Sequence, residues 1–221
     1  MLESSYSLFL ALKKMDLLKN SSLYWWPNAL SFEVVVGAIL TQNTKWENVE
    51  KSLKNLKDSH ILCKDNTQSL KNFSKLSVQS LANLIYPSGF YNQKSSRLYR
   101  LSLAILEEFG NFENFVENVS REWLLSQKGI GMESADSILN YACDREIMVV
   151  DKYTQKLLAS LGYEFDDYEE IQSWLERGIE ENFSQLQEYK SLSLVYARFH
   201  GKIVEFSKKK LVFNAKHFGD F

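Results

Sequence analysis

Three short stretches of this sequence carry side chains suited to chemistry. Residues 21–32 read SSLYWWPNALSF, with Tyr24, Trp25 and Trp26 side by side before Pro27. A helix would splay three consecutive rings over roughly 200° of its surface and a strand would alternate them, so they cannot share one core face. Pro27 biases Trp26 away from helical geometry, which places the rings at the approach to a helix and leaves flat faces outside a regular core. The second stretch, LLSQKGIGMESADSIL over 124–139, sets a Gly-Ile-Gly turn between two helices. Gly129 and Gly131 allow positive φ and close approach of a phosphate, and the free N–H groups that open the second helix point at it. This is a helix-hairpin-helix, whose contacts position nucleic acid without reading its sequence. In the third stretch, IMVVDKYT over 147–154, an apolar run ends at Asp151. That aspartate sits where an N-cap belongs, and the helix start keeps its carboxylate ionised.

The elements that position these residues read as helices. Nine glycines, two prolines and no Asn-Gly or Asp-Gly pair leave few tight turns in 221 residues. The chain opens on an amphipathic helix. Phe32, Val35, Val36, Ile39 and Leu40 then line one helical face. TKWE, Thr44 to Glu47, reads as a capping box for a helix that buries Val49, Leu53 and Leu56. Helices are predicted over 91–108, 111–117, 121–127 and 132–143, then an extended run at 147–150. A helix behind Asp151 closes at Gly162, and two more lie near 168–181 and 186–206.

Composition is that of a globular chain, 45% hydrophobic and 24% charged. No apolar run approaches membrane length and no basic n-region precedes the first apolar residues, so a soluble cytoplasmic protein is expected; a monomer is expected as well. Cys63 and Cys143 stand far apart with no metal-ligand spacing, so no metal is expected. The net charge of −2 hides an asymmetry: residues 163–189 carry nine acids against Arg177, and residues 190–221 carry seven Lys/Arg against Glu205 and Asp220. The basic segment, with Lys208, Lys209 and Lys210, suits an anion.

The order of these motifs resembles the helix-hairpin-helix DNA glycosylases of the endonuclease III superfamily. The hairpin is followed by an apolar run ending in Val-Asp, with Asp151 eighteen residues after Glu133. AILTQNT, 38–44, is similar to the segment that fills the gap left by a flipped base. SGFYNQK, 88–94, resembles the loop that wedges the duplex. ARFHGKIVEF, 197–206, looks like the place where cluster-containing members begin their cysteines. YWWPNAL together with QNTKW resembles the 3-methyladenine branch of the superfamily.

The resemblance implies an all-α, two-lobed fold with a DNA groove between the lobes: a central bundle, 23–146, and a second lobe of 1–22 with 147–221. It implies that Asp151 is catalytic. Trp25, Trp26, Pro27 and Trp46 form the base pocket, where a cationic base gains cation–π attraction of roughly 0.5–2 kcal/mol. Gln42, Phe90, Lys128, Gly129, Gly131 and Lys152 contact DNA. Glu133 stands where lyase-active members carry a Schiff-base lysine, which points to a monofunctional glycosylase. No cysteine follows His200, so no iron–sulfur cluster is expected. The partner is double-stranded DNA with alkylated bases, chiefly 3-methyladenine. Excision of another damaged or mismatched base such as uracil, and DNA binding without catalysis, stay open as alternatives.

Overall fold

The computed structural model describes residues 4–214; the end of the basic segment, with Lys216, lies outside them. The described residues form twelve α-helices: α1 Ser5–Lys14, α2 Phe32–Leu40, α3 Trp46–Asp58, α4 Asn66–Lys75, α5 Val78–Leu84, α6 Tyr91–Phe109, α7 Phe112–Asn118, α8 Arg121–Ser126, α9 Met132–Tyr141, α10 Lys152–Ser160, α11 Tyr168–Glu180 and α12 Leu192–Lys208. Two 3₁₀ turns, Tyr86–Ser88 and Phe183–Gln185, and an isolated bridge between Ser22 and Trp25 complete the described secondary structure. The fold is all-α.

The chain divides into two compact units, Asn28–Ile138 and Met1–Pro27 with Leu139–Phe221. The sequence sets these boundaries at 22/23 and 146/147. The difference has a packing cause: Trp25 and Trp26 pack on Tyr141, so the aromatic stretch and the end of α9 join the same unit.

In the Asn28–Ile138 unit, Phe32 packs edge-on against Phe73 and Phe112, and Phe115 against Phe109 and Trp123. In the other unit, Leu8, Phe9 and Leu12 of α1 are buried with Leu157, Leu158, Leu175, Val195, Phe199 and Ile203. Gly178 lets α1 lie against α11, because a Cβ there would meet the Ser5 hydroxyl; that hydroxyl donates to Leu175 O at 2.9 Å.

Residues 147–150 lie outside any helix, with Met148, Val149 and Val150 buried. Three local readings are corrected. The last helix starts at Leu192, where Ser191 caps it, and not near 186. Helices α4 and α5 go unannounced because each buries so few apolar side chains; Asp65 and Ser77 cap them through Gln68 N and Ser80 N. The capping box at Thr44 does not form. The N-cap of α3 is Lys45, with no side-chain cap, and Thr44 Oγ1 donates to Ser88 O at 2.6 Å instead.

Candidate active site

Asp151 is the N-cap of α10. Its Oδ1 accepts from Thr154 N at 2.8 Å and from Thr154 Oγ1 at 3.0 Å, which fixes one carboxylate oxygen. The other oxygen lies 3.5 Å from His200 Nε2, an ion-pair approach too long for a well-formed hydrogen bond. Burial alone raises the carboxyl pKa; His200 and then Thr154 outweigh that and hold the group below its ordinary 3.8. On the far side of the imidazole, Nδ1 is 2.7 Å from the buried Tyr141 hydroxyl, which also donates to Ala197 O at 3.1 Å. Sequence reasoning missed both partners. Tyr141 belongs to the buried end of α9, and nothing in its spacing singles out His200, 59 residues away.

The aromatic stretch meets this same cluster. The Trp25 ring packs edge-on against His200 at 5.4 Å and lies 6.2 Å from Tyr141. Trp26, 7% exposed, tilts over Tyr141 at 5.1 Å. Trp25 takes a left-handed φ of 68°, a strained conformation for a large side chain. Two devices hold it there. Arg198 NH1 donates to Ser22 O and Leu23 O at 3.2 and 3.1 Å. Gly201 leaves room on α12, since a Cβ there would come within 2.5 Å of the indole. The Tyr24 hydroxyl turns away to Asp144 at 2.8 Å, and burial with that carboxylate pushes its pKa up to about 12. Pro27 and Lys152 are exposed. The structure thus gathers Trp25, Trp26 and Asp151 around His200 and Tyr141.

The Asn28–Ile138 unit carries the hairpin. Gly129 adopts φ +91°, whereas Gly131 does not take positive φ; one left-handed glycine suffices for the turn. Lys128, Gly129, Gly131 and Glu133 are exposed. Arg121 clamps α8 to α9 through two contacts to the fully buried Asp136, Nε–Oδ1 2.7 Å and NH2–Oδ2 3.2 Å. Gln42 is held over the hairpin, its amide donating to Gly129 O and Ser134 Oγ at 3.0 Å each. Phe90, 64% exposed with φ 47°, presents a bare ring at the start of α6. Trp46 is the half-buried first residue of α3.

No group of three or more His, Cys, Asp or Glu suited to a metal occurs among the described residues. A cysteine-ligated iron–sulfur cluster needs four thiolates, and the whole sequence holds two cysteines, so the donor set does not fit one.

A helix-hairpin-helix turn and a largely buried carboxylate among packed aromatic rings mark a DNA repair enzyme of the helix-hairpin-helix type. The chain belongs to the HhH-GPD superfamily of base excision DNA repair proteins, whose family model matches residues 36–181, and it is a DNA glycosylase of base excision repair. Among individual proteins, it is similar to the H. pylori 3-methyladenine DNA glycosylase MagIII, solved with 1,N6-ethenoadenine bound. The two are 55% identical with a TM-score of 0.93, over 95% of this chain and 100% of that one. The Methanocaldococcus jannaschii protein named "Putative DNA repair glycosylase MJ1434" is 40% identical over 192 residues, 84% of this chain and 80% of the relative. An endonuclease III trapped covalently on DNA shares the fold, with a TM-score of 0.67 at 15% identity over 92% of this chain and 85% of that one.

Proposed function

We propose that this chain is a monofunctional glycosylase that removes cationic alkylated purines from duplex DNA, chiefly 3-methyladenine. The observation that carries this reading is the shared cluster of indole rings and carboxylate: Trp25, Trp26 and Asp151 meet around His200 and Tyr141. A methylated adenine is already positive, so π faces attract it beyond the neutral base, and it leaves without being protonated. A pocket of this kind therefore needs rings and an anion but no general acid for the base. Similarity to a 3-methyladenine DNA glycosylase supports the same substrate class.

The chemistry follows from Asp151. As the C1′–N bond breaks, its electron pair leaves with the base, which becomes neutral, and positive charge builds on the sugar. An ionised carboxylate fixed by Thr154 stabilises that charge without reorganising. Water then forms the C1′–O bond and gives up a proton to Asp151 or to solvent. Trp25 supplies a face to the flipped base, while Trp26 buttresses Tyr141 and Pro27 borders the stretch. Gln42 fills the gap, Phe90 wedges the stack, and the Gly129–Gly131 turn with Lys128 and Lys152 meets phosphates. Glu133 offers no amine, so the product is an abasic site on an intact strand, and a single chain without an iron–sulfur cluster does the work.

Release of base from methylated duplex tests the whole reading. Wild type should release 3-methyladenine in preference to uracil and leave strands uncut. Asp151→Asn should lose roughly 10²–10³-fold in the single-turnover rate while still binding DNA. Borohydride should trap no protein–DNA adduct. Preferential release of uracil would replace the substrate, and unimpaired Asp151→Asn would remove the catalytic assignment.

A further inference from the structure

Lys94 sits on the first turn of α6 and is 1% exposed, which is rare for a lysine. All three of its N–H bonds are used. Nζ donates to Leu40 O at 2.7 Å, to Thr44 Oγ1 at 2.6 Å and to Ser88 O at 2.8 Å. Those acceptors belong to three places: the last residue of α2, the loop holding Gln42, and the turn that precedes Phe90. Thr44 closes the set by donating to Ser88 O. Arg97 lies one turn further along α6. Its NH1 donates to Gln42 Oε1 at 2.5 Å. Its guanidinium passes over Gly129 so closely that a Cβ there would stand 2.3 Å from Nε. Gln42 in turn donates to Gly129 O.

From this geometry we infer that Lys94 and Arg97 are positioning residues, which lock the Gln42 loop, the Phe90 turn and the Gly129 hairpin into one preassembled DNA-engaging face. The inference rests on the proposed gap-filling and wedging roles of Gln42 and Phe90. Neither cation needs to touch the nucleic acid. Lys94 acts through the backbone of two loops, and Arg97 through the Gln42 amide, which in turn bonds the hairpin. An apolar residue at 94 would take the donor from Leu40 O and leave Ser88 O with Thr44 Oγ1 alone, and both loops would lose the ammonium that ties them to α6. The arrangement also explains why residue 129 is glycine for a second reason besides its left-handed φ: the space of a Cβ is taken by Arg97.

The function this serves is simultaneous delivery. A flipped nucleotide leaves a gap and a loosened stack, both costly until they are filled. If the filling side chain and the wedge had to be ordered separately, the ordering would be charged against binding at the damaged site. Held as one face, they meet the duplex already in place. Binding to undamaged duplex gains little from this, because phosphate contacts at the hairpin need neither Gln42 nor Phe90.

The test compares affinity of the full chain for a duplex with a tetrahydrofuran abasic analogue against the same duplex undamaged. A 2-aminopurine opposite the analogue reports gap filling. Lys94→Met and Arg97→Met should each lower the abasic preference about tenfold or more, the scale of a lost charged hydrogen bond, and weaken the 2-aminopurine change. Affinity for undamaged duplex should hold within about twofold. Gln42→Ala with Arg97→Met should be no worse than Gln42→Ala alone, since Arg97 acts through Gln42. Should Lys94→Met fail to fold, Arg97→Met, whose site is half-exposed, carries the test. An unchanged abasic preference in the folded variants, or additive losses in the double variant, overturns the inference. A wild type with no abasic preference overturns instead the gap-filling reading beneath it.

Discussion

Asp151 works under opposing influences, and their balance is measurable. Its folded pKa is lowered, so its stabilising contribution is present above the unfolded carboxylate pKa and is lost only as pH falls through the lower folded value. The activity that depends on the anion should follow the same limb. His200 is the largest influence opposing burial, so His200→Gln leaves the desolvation in place and removes its counterweight. The acid limb of the single-turnover pH–rate profile should then move to higher pH, with the near-neutral rate less affected than in Asp151→Asn. A limb that stays put, or moves lower, would show that His200 does not govern the carboxylate. Asp151 was legible in the sequence because its cap position and its distance from the hairpin are local facts. His200 and Tyr141 were not, because what marks them is mutual contact between α9 and α12, and no periodicity encodes that. The same limit applies to Lys94: in sequence it is one lysine of a polar helix start, and only burial shows its three acceptors.

Among the elements, the hairpin is held by more than its turn. Arg121 and Asp136 make a two-point contact between α8 and α9 with the carboxylate fully buried. Arg121 is partly exposed but Asp136 is fully buried, so removing Arg121 takes the guanidinium from a buried carboxylate, whereas replacing both with apolar side chains of similar size removes the desolvation cost as well. Arg121→Met should therefore cost about 3–5 kcal/mol, which for a chain of this size is a fall of roughly 6–20 °C in Tm. Arg121→Met with Asp136→Leu should melt much closer to wild type. Equal losses in the single and double variants would mean the pair is not what secures the hairpin. Helices with a clear apolar face such as α2 and α3 were readable from that spacing, and so were the caps at Asp151 and Gly162. The Thr44–Glu47 box misled because a threonine hydroxyl serves a distant carbonyl as readily as a helix start. Here Ser88 O and the Lys94 ammonium claim it, so α3 begins without a side-chain cap.

At the scale of the whole molecule, the unit that carries Asp151 is assembled from both parts of the chain. Helix α1 supplies Leu8, Phe9 and Leu12 to a core otherwise drawn from residues beyond 147. Phe9 packs edge-on against Phe199 at 5.3 Å and Tyr189 at 5.9 Å. Phe9→Ala should cost about 3–5 kcal/mol. Amide hydrogen exchange should show the lost protection in residues 4–27 and 139–214, with 28–138 largely spared; a uniform loss across both units would contradict their separate cores. This division was only partly legible, since the sequence located a break on each side of the hairpin region but could not see Trp25 reaching Tyr141. The split core also sets an order of events during synthesis. Helix α1 leaves the ribosome first, yet its partner α11 begins 154 residues after α1 ends. At translation speeds of ~5–20 residues per second that is a wait of roughly 8–30 s. Residues 28–138 are complete within that interval and can fold around their own core, while Leu8, Phe9 and Leu12 stay uncovered and open to chaperones. Chains truncated at residue 138 and released from the ribosome should accordingly resist brief protease treatment over 28–138 and be clipped within α1, and protection of α1 at that length would overturn this order of events.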